Sequence, residues 1–181
     1  MIFKVIKSKI NGCYQIVFNQ IIDNRGGFTK NFHEIFFKEL GINMNVAEEY
    51  FTYSKKNVFR GLHFQNPPME LEKMVFCVSG KVTDYVVDLR LKSPTYGVCE
   101  SFELNSDTPS IVFIPIGLAH GFYVKSENAI MQYKVSKVYD PICDSGISYK
   151  SFSFANEIEN PIISARDENF ISFEKFITPF S

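Results

Sequence analysis

Through most of the chain apolar and polar residues alternate with a period near two, and turn residues break the alternation at short intervals. "KMVFCV" (73–78) leads through Ser79-Gly80 into "KVTDYVVDLR" (81–90), which reads as a hairpin. "SFEL", "SIVFIP", "GFYVK" and "AIMQYKVSKVY" (129–139) follow as further strands, separated by "SPTYG", "NSDTPS" and "KSEN". Several of these runs are apolar on more than one face, which predicts two packed antiparallel sheets or a barrel. Helical periodicity enters twice. In "NFHEIFFKEL" (31–40), Phe32, Ile35, Phe36 and Leu40 fall on one face and Gly41 supplies the stop. Near the C-terminus, "SARDENFISFEKFI" spaces Phe170, Phe173, Phe176 and Ile177 as a short amphipathic helix over about 164–178, packed on the body. No repeat or linker interrupts residues 1–181, so a single, mainly β domain is expected.

Composition narrows the class. With 45% hydrophobic residues and 19 Phe among 181 residues, the chain has material for a full core. A domain of this size buries roughly 70% of its unfolded surface, so neither disulfides nor a structural metal are needed. A formal charge of −1 argues against a general nucleic-acid or membrane-surface partner, while a local basic pocket for a phosphate stays open. The four cysteines (Cys13, Cys77, Cys99, Cys143) form no CxxC pair, and Cys77 and Cys99 sit in apolar runs as reduced, buried thiols would. The N-terminus has lysines among its apolar residues and no signal-peptide core. No run approaches the roughly 18 apolar residues of a membrane span. A soluble, cytoplasmic protein is expected.

Against this background "FRGLHFQNPPMELEKMVFCVSGKV" (59–82) stands out. If it is extended, Gly61, His63 and Gln65 share a face opposite Leu62 and Phe64. A lone His there is more often a satisfied structural residue than a catalyst. Lys73 shifts the balance: it opens a strand with no other charge through Val78, and burying its ammonium without a partner or ligand would be costly. Pro115, Gly117 and His120 in "IPIGLAHGF" (114–122) make P-x-G-x-x-H, which resembles the second motif of the cupin superfamily. The first cupin motif wants H-x-H followed by Glu, but this chain has His63-x-Gln65 with Glu70 and Glu72 downstream. Of its three histidines, His33 lies on the predicted helix. Since Gln65 is a poor transition-metal ligand, a metal-free site is the better reading. Other residues have structural readings: Ser164-x-x-Asp167 is close to a capping box, Asp84 and Asp88 read as structural or rim residues, and Tyr133 alone would be an ordinary strand aromatic. Gly26 and Gly27 read as turn glycines.

Taken together, "DNRGGF" (23–28), "RGLHFQ" (60–65), "EKMVFCVSGKVTDYVVDLRLKSPTYG" (72–97), "IPIGLAHGF" (114–122), "YKVSKVYDP" (133–141) and "PIISARD" (161–167) resemble, in order, the dTDP-4-dehydrorhamnose 3,5-epimerases of nucleotide-sugar biosynthesis. The resemblance runs from about residue 16 to about 167. It implies a cupin-type jelly-roll β-sandwich with a few short helices, assembled as a homodimer. It also implies cofactor-free epimerisation at C3 and/or C5 of a nucleotide-linked 4-keto-6-deoxy sugar, feeding surface polysaccharide. In that family His63 would be the base, Asp167 its hydrogen-bonded partner, Tyr133 the acid on the opposite face, and Lys73 the enolate stabiliser. Arg60 and His120 would line the pocket, and Arg25 and Tyr139 would help to hold the nucleotide diphosphate. Phe28, Glu48, Tyr50, Gln65 and Arg166 fall at the other substrate-facing positions.

The chemistry asks for these residue types on its own terms. A His near its ordinary pKa suits proton removal, with a carboxylate to fix its tautomer. A cation at the developing oxyanion supplies the electrostatic stabilisation. The C4 ketone is the substrate's own electron sink, so no cofactor is implied. Some positions depart from the family pattern. Its Gln-x-Asn-x-Ser is here Glu48, Tyr50 and Thr52. A family Glu aligns with Lys30, a family Lys with Arg166, and the Trp-rich C-terminal segment is "YKSFSFANEIENP". Two alternatives therefore remain at this stage. One is a single-centre epimerase or ketoisomerase on another nucleotide sugar. The other is a non-catalytic or metal-binding cupin using His63, His120 and Glu70.

Overall fold

The computed structural model describes residues 3–181. With strands numbered in chain order, one sheet runs β1 (Phe3–Lys7), β2 (Tyr14–Phe18), β10 (Ser110–Ile114), β7 (Lys73–Ser79), β12 (Asn128–Val135), β5 (Glu48–Lys55). The second runs β13 (Asp144–Gly146), β6 (Phe59–Gln65), β11 (Leu118–Val124), β8 (Lys81–Asp88), β9 (Cys99–Asn105). A hairpin of β3 (Gln20–Asp23) and β4 (Gly26–Thr29) pairs only with itself among the described residues, with Gly26 and Gly27 after its turn. All ladders between named strands are antiparallel. The expected mainly β jelly-roll sandwich is what the chain forms.

The apolar double faces have a direct cause. One core fills the space between the sheets, with Val75, Cys77 and Met131 meeting Val86, Phe102 and Phe122. A second covers the outer face of the five-stranded sheet, where Leu62, Phe64, Tyr85 and Val87 pack under Tyr149, Phe154 and Phe180 from the C-terminal third. A third lies outside the six-stranded sheet, where Ile16, Met74, Ile111 and Phe113 meet Phe37 and Ile42. Central strands such as β11, buried at every position, therefore read as continuous apolar runs.

Three expectations change. Residues 73–90 form no hairpin: β7 and β8 lie in different sheets, and the chain crosses between them at Gly80. Gly80 has φ +86, and a Cβ there would sit 2.1 Å from the Asn128 carbonyl oxygen, so this crossing needs glycine. The early helix is α1 (Glu34–Glu39), capped by the His33 ring, and the residue it buries is Phe37 rather than Ile35, which is exposed. The helix expected over 164–178 is one turn, α2 (Ala165–Glu168), followed by a separate 3-10 turn at Phe173–Lys175. Its aromatics serve different neighbours, Phe170 on His63, Phe173 on Tyr96 and Phe152, Phe176 on Phe64, while Ile177 is exposed. Helical spacing here reflects several docking points, and one continuous helix could not reach them all.

At the β6–β11 junction two glycines let the backbones meet. A Cβ on Gly61, whose φ is +133, would lie 2.5 Å from Gly121 Cα and 2.9 Å from the His120 oxygen. Gly61→Ala is expected to cost about 3 kcal/mol or more through backbone overpacking and an unfavourable φ, read as a lower urea midpoint; an unchanged midpoint would show that the strands can separate.

Candidate active site

Both sheets line a cavity of about 350 Å³. The five-stranded sheet contributes Arg60, His63, Gln65, His120 and Asp144, and the six-stranded sheet Glu48, Tyr50, Thr52, Lys73 and Tyr133. His63 and Tyr133 therefore stand on opposite walls.

His63 Nε2 lies 2.9 Å from Asp167 Oδ1, and the Gly61 amide donates to Asp167 Oδ2 at 3.0 Å. Burial pushes the Asp167 carboxyl up, but the His63, Gly61 and Ser164 contacts outweigh it and hold the group below its ordinary value. An ionised Asp167 keeps the proton on His63 Nε2 and leaves Nδ1 as the basic nitrogen. The Asp167 amide also donates to Ser164 Oγ at 3.1 Å, so the capping reading holds as well. Only the reciprocal half of a capping box is missing, because the Asp167 carboxylate is engaged elsewhere. Phe170, on the same segment, meets the His63 ring edge-on at 5.6 Å.

Lys73 is buried and donates from Nζ to the His63 carbonyl at 3.0 Å. Burial pushes its ammonium down to about 8, against the upward pull of Asp144 and Asp84. Next to it His120 Nε2 lies 2.7 Å from Asp84 Oδ2, both side chains buried. Burial moves His120 down and Asp84 up, each towards its uncharged form, while their mutual contact pulls both the other way. Asp84 is thus no rim residue: it is fully buried and holds His120. Asp88 is structural, binding Arg90, Ser93 and Thr95 to shape the loop after β8.

Tyr133 is 5% exposed, and burial first, then Tyr50 and Asp84, holds its phenol well above the ordinary value. It stays protonated at neutral pH and can act as a proton donor. At the mouth, Arg166 pairs with Asp144 at 2.6 Å, Tyr139 donates to Asp144, and Glu48 Oε2 accepts the Tyr139 amide at 2.9 Å. Arg60 is steadied by Ser54 Oγ at 3.0 Å. Gln65 borders the cavity, but its amide is engaged with Met69, Val138 and Asp140 backbone atoms, so in this chain it braces two loops.

Eleven of the thirteen residues singled out in the sequence come together here, as cavity walls or, for Asp167, directly behind one. Arg25 and Phe28 do not: they lie on the β3–β4 hairpin, where Arg25 pairs with Asp23 and Phe28 is exposed. Sequence reasoning did not single out Phe170 or Asp144 for the site, and of its two readings of Asp84, structural or rim, the rim one fails; the apolar residues Val82 and Val86 on the same strand face were the available signal. Among the described residues no group of three His, Cys, Asp or Glu side chains is placed to hold a metal ion. Glu70, the third ligand of the metal-binding alternative, faces Lys137 instead.

This constellation has relatives. The family described as dTDP-4-dehydrorhamnose 3,5-epimerase matches residues 7–175. The chain belongs to that family. It is 34% identical over 172 residues to the dTDP-4-dehydrorhamnose 3,5-epimerase of Methanothermobacter thermautotrophicus, covering 92% of each chain. It is also 34% identical to a dTDP-4-dehydrorhamnose 3-epimerase of Streptomyces niveus, over 88% of this chain and 79% of that protein. Its fold superposes with a TM-score of 0.92, at 29% identity, on dTDP-6-deoxy-D-glucose-3,5-epimerase of Legionella pneumophila, solved with dTDP-4-keto-L-rhamnose; 99% of this chain and 98% of that chain are covered. The expected enzyme class, an isomerase, stands.

Turnover should carry the Lys73 titration. A charged ammonium is present below about 8 and is lost as pH rises through it, so kcat/KM is expected to fall on the alkaline side with a midpoint near that value. A profile flat to about pH 9.5 would remove the charged form from the mechanism.

Proposed function

We propose that this chain epimerises a dTDP-linked 4-keto-6-deoxy sugar at C3, C5 or both, without a cofactor. The observation that carries the reading is a His63–Asp167 dyad on one sheet facing a buried, protonated Tyr133 on the other, with the Lys73 ammonium beside the dyad. His63 Nδ1 takes the proton from the carbon next to the ketone, and the C–H electrons move onto the C4 oxygen as an enolate. Lys73 stabilises that oxyanion, with the His120–Asp84 pair behind it. Tyr133 returns a proton to the opposite face of the carbon. The phenolate is then reprotonated from solvent while His63 releases its proton, so the net change is inversion alone. Arg60 and Arg166 offer positive charge to the diphosphate, and Tyr139, Glu48 and Tyr50 shape the mouth.

The working unit in this reading is a homodimer. Its support is the β3–β4 hairpin, which exposes Ile21 (66%), Ile22 (72%) and Phe28 (60%), and edge strand β5, which exposes Phe51 (72%). Apolar surface of this kind on a self-paired hairpin and an unpaired sheet edge calls for cover. A second copy could bring Arg25 and Phe28 to the neighbouring cavity, a place for two residues that their own chain leaves outside. Action in the cytoplasm fits four free cysteines. No helix among the described residues is long and apolar enough to cross a membrane.

NMR of dTDP-4-keto-6-deoxyglucose in D2O tests the activity by following deuterium into C3 and C5. Exchange at both carbons marks a 3,5-epimerase and exchange at one a single-centre enzyme; no exchange would send the reading to other nucleotide sugars. His63→Ala is expected to lower turnover roughly 10²- to 10⁴-fold with the fold intact, and near-normal turnover would overturn the assigned base. Tyr133→Phe should damage inversion more than exchange. Ile22→Asp should shift the sedimentation mass towards the monomer and weaken turnover; a fully active monomer would refute the shared site.

A further inference from the structure

The geometry points to Tyr50 as a positioning residue for Tyr133: its ring clamps the phenol that returns the proton, and so sets how often proton removal ends in inversion. The inference rests on the reading above, in which Tyr133 is the acid. Tyr50 and Tyr133 are direct cross-strand partners in the β5–β12 ladder, so their side chains leave the sheet on the same face. Their rings stack at 4.8 Å with 14° between planes, and His120 meets the Tyr133 ring edge-on at 6.0 Å and 71°. Tyr133 is therefore held on two sides. The inner hold, His120, is fixed by buried Asp84. The outer hold comes from edge strand β5, which pairs only with β12 among the described residues.

A carbon acid is reprotonated productively only if the donor oxygen stands in line with the carbon while the enolate lasts; otherwise the proton returns from the His63 face and the original centre is regenerated. A phenol on a flexible arm loses that race more often than one pinned between two rings. Tyr50 is 40% exposed, so its outer side is open and the hold can change without repacking the core. The Tyr50 hydroxyl is not needed for this role, because the stack is made by the ring faces.

The test uses the full chain and two measurements. The first is the ratio of inverted product to deuterium exchanged without inversion, for dTDP-4-keto-6-deoxyglucose in D2O. Tyr50→Phe keeps the stack and should hold the wild-type ratio within about twofold, whereas Tyr50→Asn and Tyr50→Leu should lower it about three- to tenfold, the range a stacked aromatic pair is worth. The second is Tyr133 ring flipping in the free enzyme, from aromatic relaxation dispersion, which needs no substrate. Flipping should quicken in the Asn and Leu variants and stay as in wild type in the Phe variant. A raised KM with an unchanged ratio would make Tyr50 only a wall and overturn the inference, as would a Phe variant that falls with the Asn variant. If wild type shows no exchange on this sugar, the activity reading fails, and equal flip rates across the variants would then refute the clamp independently.

Discussion

The site depends on one buried carboxylate. Asp167 is 104 residues from His63 in sequence, yet it accepts from both the His63 ring and the Gly61 amide, while its own amide is capped by Ser164. Removing a carboxylate from water is costly, and burial does push this one towards its protonated form; the His63 ring, the Gly61 amide and the nearby Ser164 side chain together reverse that. A buried Asp167 is therefore held ionised here by β6, which carries Gly61 and His63, together with α2. Arg166 can then reach Asp144 at the cavity mouth, and Phe170 packs on the His63 ring. Gly146 completes the fit, because a Cβ there would meet Phe170 at 2.3 Å. The C-terminal segment is thus the back wall of the site as well as a cover for the second core.

The cavity floor solves a different electrostatic problem. Lys73, Asp84 and His120 are three ionisable side chains in one buried place, and full charge on all of them would be expensive. Burial moves Asp84 up and His120 and Lys73 down, each towards its uncharged form, and the Lys73 ammonium, pushed down to about 8, remains the cation of the floor at neutral pH. A cation that is poorly solvated before the substrate arrives gains most from an oxyanion beside it. On the proposed reading the desolvation of Lys73 favours the enolate over the ketone, which is the difference that accelerates a reaction.

Much of this was legible in the chain because it is local. Alternation with double apolar faces pointed to the sandwich, and the lone Lys73 in an apolar strand pointed to a buried cation. The failures have a common physical origin. The 73–90 segment looked like a hairpin because a glycine turn joins two strands, but sheet membership is decided by partners such as β10 and β11 that lie far along the chain. Asp84 looked structural because its partner, His120, is 36 residues away. The C-terminal aromatics had helical spacing, but their docking sites on Tyr96, Phe64 and His63 broke the helix into separate turns. Arg25 and Phe28 carry the family motif yet lie outside their own chain's cavity, and no local pattern could show that. Gln65 had the right position for a ligand and is instead engaged by three backbone neighbours.

Opposed sheets make the stereochemistry follow from architecture. On the proposed reading, a base on β6 and an acid on β12 project from facing walls, so a planar enolate between them is deprotonated from one side and reprotonated from the other. One ketone acidifies both of its neighbouring carbons, and one cation at its oxygen serves either enolate. The acid–base set therefore does not by itself decide whether one centre or two are inverted. That choice falls to the groups that fix the sugar's rotation about its link to the diphosphate, and to the lifetime of the phenol's aim. On the proposed reading Glu48, Tyr50, Tyr139, Asp144 and Arg166, which line the mouth, are those groups. On that reading the mouth sets which carbon is presented, and the dyad, the lysine and the phenol behind it carry out the proton transfers.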